Sequence, residues 1–390
     1  MTPQDLSQDL INSIDNRNAV FFCGAGISHG VEGERGFPGG QELAGDMAEK
    51  LLGRTVRDDE PLDLKQIAQE VIWADNDRRS RLNEYLLKVF ADPTIKPLRA
   101  HKALAALECN VITTNYDTLI EDAFKQAEKR CGTVVRENNL TRMQEVNVVK
   151  IHGCVTDVDN IVIAEEDYYR WLTSDSEMKT LVRLWFFQRP IVFIGFSLSD
   201  PNFRQLYYDL RLRFGGALKV AYAVFKEKSD NYDMRFIEKQ GIKIIEQDAT
   251  VFLEDLVEQV VLPRAFEKYG PMACARIYRD WLDADPGRTQ GDLAKLVGTV
   301  ESKISAILTL TKLPARYQRL MDDGKISAYM CAVYVQRILE ALKERGKLLE
   351  NDDEVYKWAQ KGPSQNEARE RCDKIIKAGK RWRELEHKAG

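Results

Sequence analysis

The stretch Asn18-Ala-Val-Phe-Phe-Cys-Gly-Ala-Gly-Ile-Ser-His29 contains an apolar run that ends at a pair of glycines. The run from Ala19 to Cys23 followed by Gly24-Ala25-Gly26 predicts a buried parallel strand that meets a tight turn. Glycines at such a turn let the backbone approach a ligand closely, and N–H groups at a helix start favour a pyrophosphate. Gly-x-Gly is a short pattern, however. Two interpretations therefore stand at this point: a phosphate-binding loop, or a simple strand-to-helix turn.

Three later segments repeat the pattern of an apolar strand that ends in polar residues or glycine. They are Asn110 to Asp117, Val148 to Gly153, and Pro190 to Pro201. Ligands of doubly wound sheets bind at the carboxyl ends of the strands, where these polar residues fall. Asn115 either contacts a ligand there or caps the next helix. His152 has a side chain that titrates near neutrality, which suits a general base or a partner for a ribose hydroxyl.

Two further strands, Val220 to Phe225 and Lys243 to Ile245, complete the α/β pattern. The second leads to Asp248, which reaches an adenosine ribose or caps the following helix. Ser199 and Asp200 are placed to cap a helix that begins at Pro201.

The fold class predicted from these strands is α/β, a Rossmann-like doubly wound parallel sheet. Helical periodicity between the first two strands predicts a helical insertion over about 60–107. His101 lies in that insertion as a helix-start or packing residue. The α/β domain is expected to span residues 1–265.

A second, all-α domain is predicted over 271–390, because strand-like runs vanish after Gly270-Pro271. Residues 289–340 contain two short helices joined at Gly298, a helix-turn-helix pattern, and resemble the DNA-binding region of ParB/KorB partition proteins. The second helix would present Val300, Glu301, Ser302, Lys303 and Ser305 outward, with no arginine. DNA contact normally needs several Lys or Arg side chains on phosphates. The domain is therefore assigned either to DNA contact or to protein–protein contact.

Composition and charge limit the function classes. No apolar segment approaches the ~20 residues that span a bilayer, and the N-terminus lacks the regions of a signal peptide. Seven scattered cysteines without a Cys-x-x-Cys pair predict reduced thiols in a cytoplasmic protein and no metal site. Residues 271–390 carry 23 Lys and Arg against 18 Asp and Glu, although the whole chain has a net charge of −4. That mild excess permits nucleic-acid contact without requiring it.

Taken together, the four strand ends resemble those of the sirtuin superfamily over residues 10–260. Gly24 to Ser28 matches its Gly-Ala-Gly-Ile-Ser loop, Thr114 to Asp117 its Gln-Asn-Ile-Asp segment, and His152-Gly153 and Gly195 to Ser197 its later motifs. Residues 154–194 contain only Cys154, so the four-cysteine zinc module of the deacetylases cannot form. The chain is thus more similar to bacterial sirtuin-like NAD hydrolases of anti-phage defence.

The resemblance implies that NAD is the substrate, that no metal is needed, and that Asn115 and His152 are catalytic. Asn115 would position the attacking water, and His152 would contact the ribose and assist deprotonation. The residues that it implies for NAD binding are Gly24, Ala25, Gly26, Ile27, Ser28, Phe37, Asp117, Gly195, Ser197, Asp200 and Asp248. Ser197 and Asp200 are assigned to ribose contact or to local structure.

The predicted function is NAD hydrolysis to ADP-ribose and nicotinamide, regulated by assembly, in defence against phage. The resemblance also implies a homo-oligomer, a HerA-type ATPase partner and possible DNA contact through the second domain, without a membrane. One alternative is a DNA-binding regulator that uses the sirtuin fold as an NAD or ADP-ribose sensor. Others are a nuclease component of a partner complex and, last, a deacetylase.

Overall fold

The computed structural model describes residues 6–30, 34–57, 60–76, 78–198, 200–228, 232–327, 334–344, 348–364 and 366–377. They fall into two compact units, residues 1–260 and 261–390. None of the helices in these ranges is both long enough and apolar enough to cross a membrane.

The first unit is built on one seven-stranded parallel sheet, which confirms the predicted fold class. Its strand order is β3-β4-β2-β1-β5-β6-β7. Chain order reverses between β1 and β5, where a doubly wound sheet opens its ligand crevice. The strands are β1 (Val20–Cys23), β2 (Asn110–Thr113), β3 (Gly132–Val134), β4 (Asn147–Lys150), β5 (Ile191–Ile194), β6 (Ala221–Phe225) and β7 (Ile242–Glu246).

Eleven α-helices among the described residues accompany this sheet: α1 (Gln8–Asp15), α2 (Gly40–Leu52), α3 (Leu64–Ala74), α4 (Ser80–Phe90), α5 (Arg99–Leu107), α6 (Leu119–Gln126), α7 (Glu165–Thr173), α8 (Glu177–Gln188), α9 (Pro201–Phe214), α10 (Tyr232–Lys239) and α11 (Ala249–Leu256). Helices α3 to α5 occupy the segment between β1 and β2 for which the sequence predicts a helical insertion. Short 3-10 turns follow β1 (Ala25–Ile27) and β4 (Val155–Asn160).

Two of the apolar clusters among the described residues of this unit lie near the strand ends. One joins the central strands to α8 and α9, where Phe22 and Phe196 have ring centroids 4.7 Å apart. The other belongs to the insertion and includes Phe37, Phe90 and Tyr116, with successive centroids 5.4 Å apart. Because Tyr116 directly follows Asn115, the core of the insertion is anchored at the carboxyl end of β2.

Among the described residues of the second unit the regular elements are helices, and none is a strand. The helices are α12 (Ala265–Asp283), α13 (Gln290–Leu296), α14 (Glu301–Thr309), α15 (Ala315–Asp322), α16 (Gln336–Glu344) and α17 (Leu348–Gln360), and residues 366–377 are also helical. Gly270 has a φ of 77° and kinks α12 just before Pro271. Their core surrounds Tyr317, which is fully buried.

Helices α13 and α14 form the pair that the sequence predicts, joined at Gly298 with a φ of 68°. Ile304 and Leu308 point into the core, and the five residues expected on the outer face are exposed: Val300, Glu301, Ser302, Lys303 and Ser305. Residues 328–333 of the predicted segment lie outside the described residues, as do residues 378–390 of the predicted all-α domain. The resemblance to partition proteins stays a prediction.

Candidate active site

Four strand ends meet at one edge of the sheet. Cys23 at the end of β1 is in register with Thr113 of β2 and Ile194 of β5, and Thr113 is in register with Lys150 of β4. Asn115 and His152 each follow such a paired residue by two positions. Neighbouring strands are about 4.8 Å apart, so these two side chains start from equivalent points on adjacent strands.

The glycine loop after β1 packs directly on the loop after β5. The N–H of Gly26 donates to the carbonyl of Gly195 over 2.9 Å, and the N–H of Gly24 donates to the carbonyl of Ile194 over 3.0 Å. A Cβ on Gly24 would lie 2.6 Å from the Gly195 carbonyl oxygen, and one on Gly26 2.8 Å from the Gly195 Cα. These glycines are therefore required by contact between two loops, whatever ligand lies above them.

Most main-chain donors of the Gly24 to Ser28 loop are used inside the protein. Besides the bonds just described, the N–H of Ile27 donates to Gly24 and that of Ser28 to Ala25. Ala25 and Gly26 are exposed, while Ile27 and Ser28 are buried. A pyrophosphate at this loop would thus depend on the exposed backbone of Ala25 and on side-chain donors such as Ser28, with Gly26 allowing a close approach.

Asn115 contacts the glycine loop through Ser28. Its Nδ2 donates to the Ser28 Oγ over 3.1 Å, and its own N–H donates to Thr113 Oγ1 over 3.0 Å. Asn115 is buried, and its Oδ1 has no hydrogen-bond partner among the described residues. Asp117 instead accepts the N–H of Leu119 at the start of α6, over 2.9 Å. Asp117, and not Asn115, therefore makes the hydrogen bond at the start of α6. The Asn115 side chain is left for contact with a ligand.

The buried side chain of Lys150 holds the turn formed by Asn115 to Asp117 in place. Lys150 Nζ donates to the main-chain carbonyl of Asp117 and lies 3.2 Å from Glu121 Oε1. The Lys150 side chain is fully buried, so its charge is balanced by Glu121 rather than by water. The position of the Asn115–Asp117 turn is consequently set by the end of β4.

His101 belongs to the same network, although the sequence marks it only as a helix-start or packing residue. Its Nε2 lies 3.1 Å from the Ser28 Oγ, and its Nδ1 accepts the N–H of Leu98 over 3.1 Å. Burial lowers the pKa of His101 to about 4, so the ring is neutral near pH 7. No sequence motif surrounds His101, and the signal that it belongs to the site is its contact with Ser28.

His152 is buried against aromatic residues of α7. Its ring centroid lies 5.2 Å from that of Tyr168 and 6.4 Å from that of Trp171. Its Nε2 is 3.9 Å from Asp200 Oδ2 and has no hydrogen-bond partner among the described residues. Burial lowers the pKa of His152, and Asp200 opposes that shift. The neutral imidazole that results is the form able to accept a proton.

The other residues predicted for the site differ in how they contact Asn115, Ser28 and His152. Asp200 Oδ1 accepts the N–H of Phe203 over 2.9 Å and so caps α9, while its other oxygen faces His152. Ser199 lies outside the described residues, and Ser197 is exposed. Phe37 is buried and donates its N–H to the Ser28 carbonyl over 2.7 Å.

Asp248 does not lie with Asn115 and His152. It follows the edge strand β7 and caps α11 by accepting the N–H groups of Thr250 and Val251 over 2.9 and 3.2 Å. Strands β5 and β6 separate it from the end of β1. Among the described residues no cluster of three or more His, Cys, Asp or Glu side chains could hold a metal ion.

Comparison with known proteins agrees with this architecture. A model of the SIR2-like domain matches residues 110–245, from β2 into β7. Residues 110–245 are therefore similar to the SIR2-like domain, in line with the resemblance to the sirtuin superfamily.

Individual relatives with named activities also match this chain. Over 207 residues the chain is 28% identical to the NAD(+) hydrolase ThsA of Enterococcus faecium, a match that covers 51% of this chain and 41% of that protein. It is 27% identical over 225 residues to the NAD(+) hydrolase ThsA of Acinetobacter baumannii, covering 56% and 44%. Defense-associated sirtuin 2 of Bacillus subtilis is 26% identical over 251 residues, covering 61% and 24%. The chain thus spans less than half the length of these relatives.

Solved structures of Sir2 homologues also match. A complex of a Sir2 homologue with NAD has a TM-score of 0.40 and 16% identity, and the match covers 65% of this chain and 94% of that one. An ADP-ribose complex of a Sir2 homologue variant has a TM-score of 0.40 and 15% identity, covering 67% and 99%.

Proposed function

We propose that this chain hydrolyses NAD+ at the nicotinamide–ribose bond and releases ADP-ribose and nicotinamide. The observation that carries the proposal is the pair of buried polar side chains, Asn115 and His152, at equivalent positions on adjacent strands. Each has one atom without a hydrogen-bond partner among the described residues, Asn115 Oδ1 and His152 Nε2. Buried polar atoms are normally paired, so two such atoms at one sheet edge favour a polar ligand. The similarity to NAD(+) hydrolases names the ligand class.

The proposed chemistry needs one water and no metal. The water oxygen forms a bond to the ribose C1′ as the C1′–N bond to nicotinamide breaks, and that bond's electron pair neutralises the pyridinium. Asn115 Oδ1 accepts a hydrogen bond from the water and so orients it. Neutral His152 takes up the proton that the water loses and then passes it to solvent. The products are ADP-ribose, nicotinamide and one proton.

Binding of the rest of NAD is assigned to the strand ends around this pair. The pyrophosphate would lie over Ala25, Gly26 and Ser28, and the nicotinamide near Ile27, Phe37 and Asp117. Asp200 would act on the ribose through His152. Asp248, at the outer edge of the sheet, is assigned to capping α11 instead.

We further propose that this activity serves defence and is held in check until a trigger arrives. Unrestrained loss of NAD would kill the host cell, so the enzyme needs a second state that assembly or a partner stabilises. The similarity to a defence-associated sirtuin supports the setting. A homo-oligomer, a HerA-type ATPase and DNA contact through residues 271–390 are the proposed regulators.

Hydrolysis in ¹⁸O-labelled water tests the reaction class. The purified chain is incubated with NAD+, alone and with DNA and a HerA-type ATPase, and NAD+ binding is measured in parallel. The expected product is ADP-ribose with one ¹⁸O at C1′ and an equimolar amount of nicotinamide. NAD+ binding without cleavage under every condition would overturn hydrolysis and favour a nucleotide sensor.

A further inference from the structure

The buried face of α5 carries one polar residue in an otherwise apolar row. The rest of the buried face is formed by Ala100, Ala103, Leu104, Ala105 and Leu107, and His101 itself has no exposed surface. Burying an imidazole costs free energy unless both ring nitrogens find partners. A leucine would fill such a position without that requirement. The contacts of the two ring nitrogens therefore indicate what the histidine does at this position.

The two contacts of His101 fix its tautomer. Nδ1 accepts the Leu98 N–H and so cannot carry a proton, which leaves the proton of the neutral ring on Nε2. Nε2 must then donate to the Ser28 Oγ, 3.1 Å away. Ser28 Oγ also accepts from Asn115 Nδ2. With two donors directed at its oxygen, the Ser28 hydroxyl keeps its own proton for a third group.

From this chain of contacts we infer that His101 is a positioning residue for NAD+ cleavage, acting on Asn115 through Ser28. The inference rests on the proposed function. By donating to Ser28, His101 holds the serine oxygen where it orients the Asn115 amide, so that Asn115 Oδ1 faces the water. The same contact directs the Ser28 hydroxyl proton to an acceptor on the bound nucleotide.

Two isosteric substitutions separate this role from helix capping. His101→Asn keeps an acceptor at the Nδ1 position for the Leu98 N–H but cannot reach Ser28. His101→Gln places an amide N–H near the Nε2 position, which keeps the donor to Ser28 and gives up the cap. A residue that acts only as a cap would show its loss in His101→Gln alone.

The expected results are opposite for the two variants. Losing one hydrogen bond that orients a catalytic group should lower kcat for His101→Asn by about tenfold, with KM within about twofold of wild type. His101→Gln should keep kcat within about threefold of wild type and unfold at a lower urea concentration. Equal kcat in His101→Asn and wild type would overturn the inference.

A double-mutant cycle with Ser28→Ala tests whether the effect passes through the serine. If it does, adding His101→Asn to Ser28→Ala should change kcat by less than about twofold. A further tenfold loss in the double variant would show that His101 acts by another route and would contradict the inference.

Crystal structures of the two variants answer the same question without turnover. The Asn115 amide should stay on Ser28 in His101→Gln and turn away from it in His101→Asn. If wild type does not cleave NAD+, the proposed function fails on that result. An unchanged Asn115 amide in His101→Asn would refute the positioning role by itself.

Discussion

Replacing Gly195 with alanine should destabilise the first unit more than any comparable change at an open glycine. Gly195 has a φ of 56°, and a Cβ there would lie 2.6 Å from the Ile27 nitrogen and 2.8 Å from the Gly26 carbonyl carbon. These are backbone atoms that cannot rotate away. The left-handed conformation costs a residue with a Cβ about 1–2 kcal/mol, and forcing extra volume into a packed contact costs about 1–3 kcal/mol. We expect a total loss of about 2–5 kcal/mol.

Gly53→Ala is the matched control. Gly53 ends α2 with a φ of 65°, and nothing lies within 4 Å of the Cβ that alanine would add. It therefore carries only the conformational cost. The difference between the two variants, about 1–3 kcal/mol, measures the contact between the loops after β1 and β5.

Urea unfolding is monitored by hydrogen exchange on peptides from β1 and β5, so that the measured stability is that of the first unit alone. Gly195→Ala should have the lower midpoint of the two variants. It should also lose NAD+ cleavage, because the displaced loop carries Ile27 and Ser28. If Gly195→Ala is no less stable than Gly53→Ala, the contact between the loops after β1 and β5 does not require a glycine at position 195.

Three further outcomes follow from buried groups. Between pH 6.5 and 4 wild type should lose about 3 kcal/mol more stability than His101→Asn. The reason is that His101 binds a proton in the unfolded chain at a pH where the folded ring, with its pKa of about 4, stays neutral. Urea midpoints that change in parallel across this pH range would contradict the prediction. Asp167→Ala should cost about 3–5 kcal/mol in urea unfolding, since Arg79 Nη1 donates to both carboxylate oxygens of the buried Asp167; a loss below about 1 kcal/mol would mean that water replaces the pair. Iodoacetamide should leave Cys23 unmodified in the folded protein and label it in urea, because burial raises its thiol pKa; peptide mapping that finds native labelling would refute its burial.

Much of the fold is predictable because its signals are local. Each central strand is a short apolar run that ends in glycine or a polar residue, and a parallel sheet brings such ends to one edge. Helices such as α2 show apolar residues with helical spacing. Strand β3 escapes prediction because it has only three residues, and its identity depends on pairing with β4.

The site is predictable as a set of strand ends but not as a network. Nothing local shows that Gly195 touches Gly26, or that Asp117 rather than Asn115 caps α6. His101 lies 73 positions from Ser28 in sequence, and their contact exists only in the folded chain. Tyr168 and Trp171, which enclose His152, come from a helix without a recognisable motif.

The most direct test of the central claim is NAD+ cleavage by Asn115→Ala and His152→Ala. Asn138→Ala, at an exposed asparagine of the 3-10 turn that follows β3 (Glu137–Arg142), serves as the control. Nicotinamide and ADP-ribose are quantified by chromatography in the assembly state in which wild type is active. Both site variants should stay folded and lose at least about 100-fold in rate, as expected for a lost general base or water-orienting group, while Asn138→Ala matches wild type. Wild-type rates in either site variant would contradict the account.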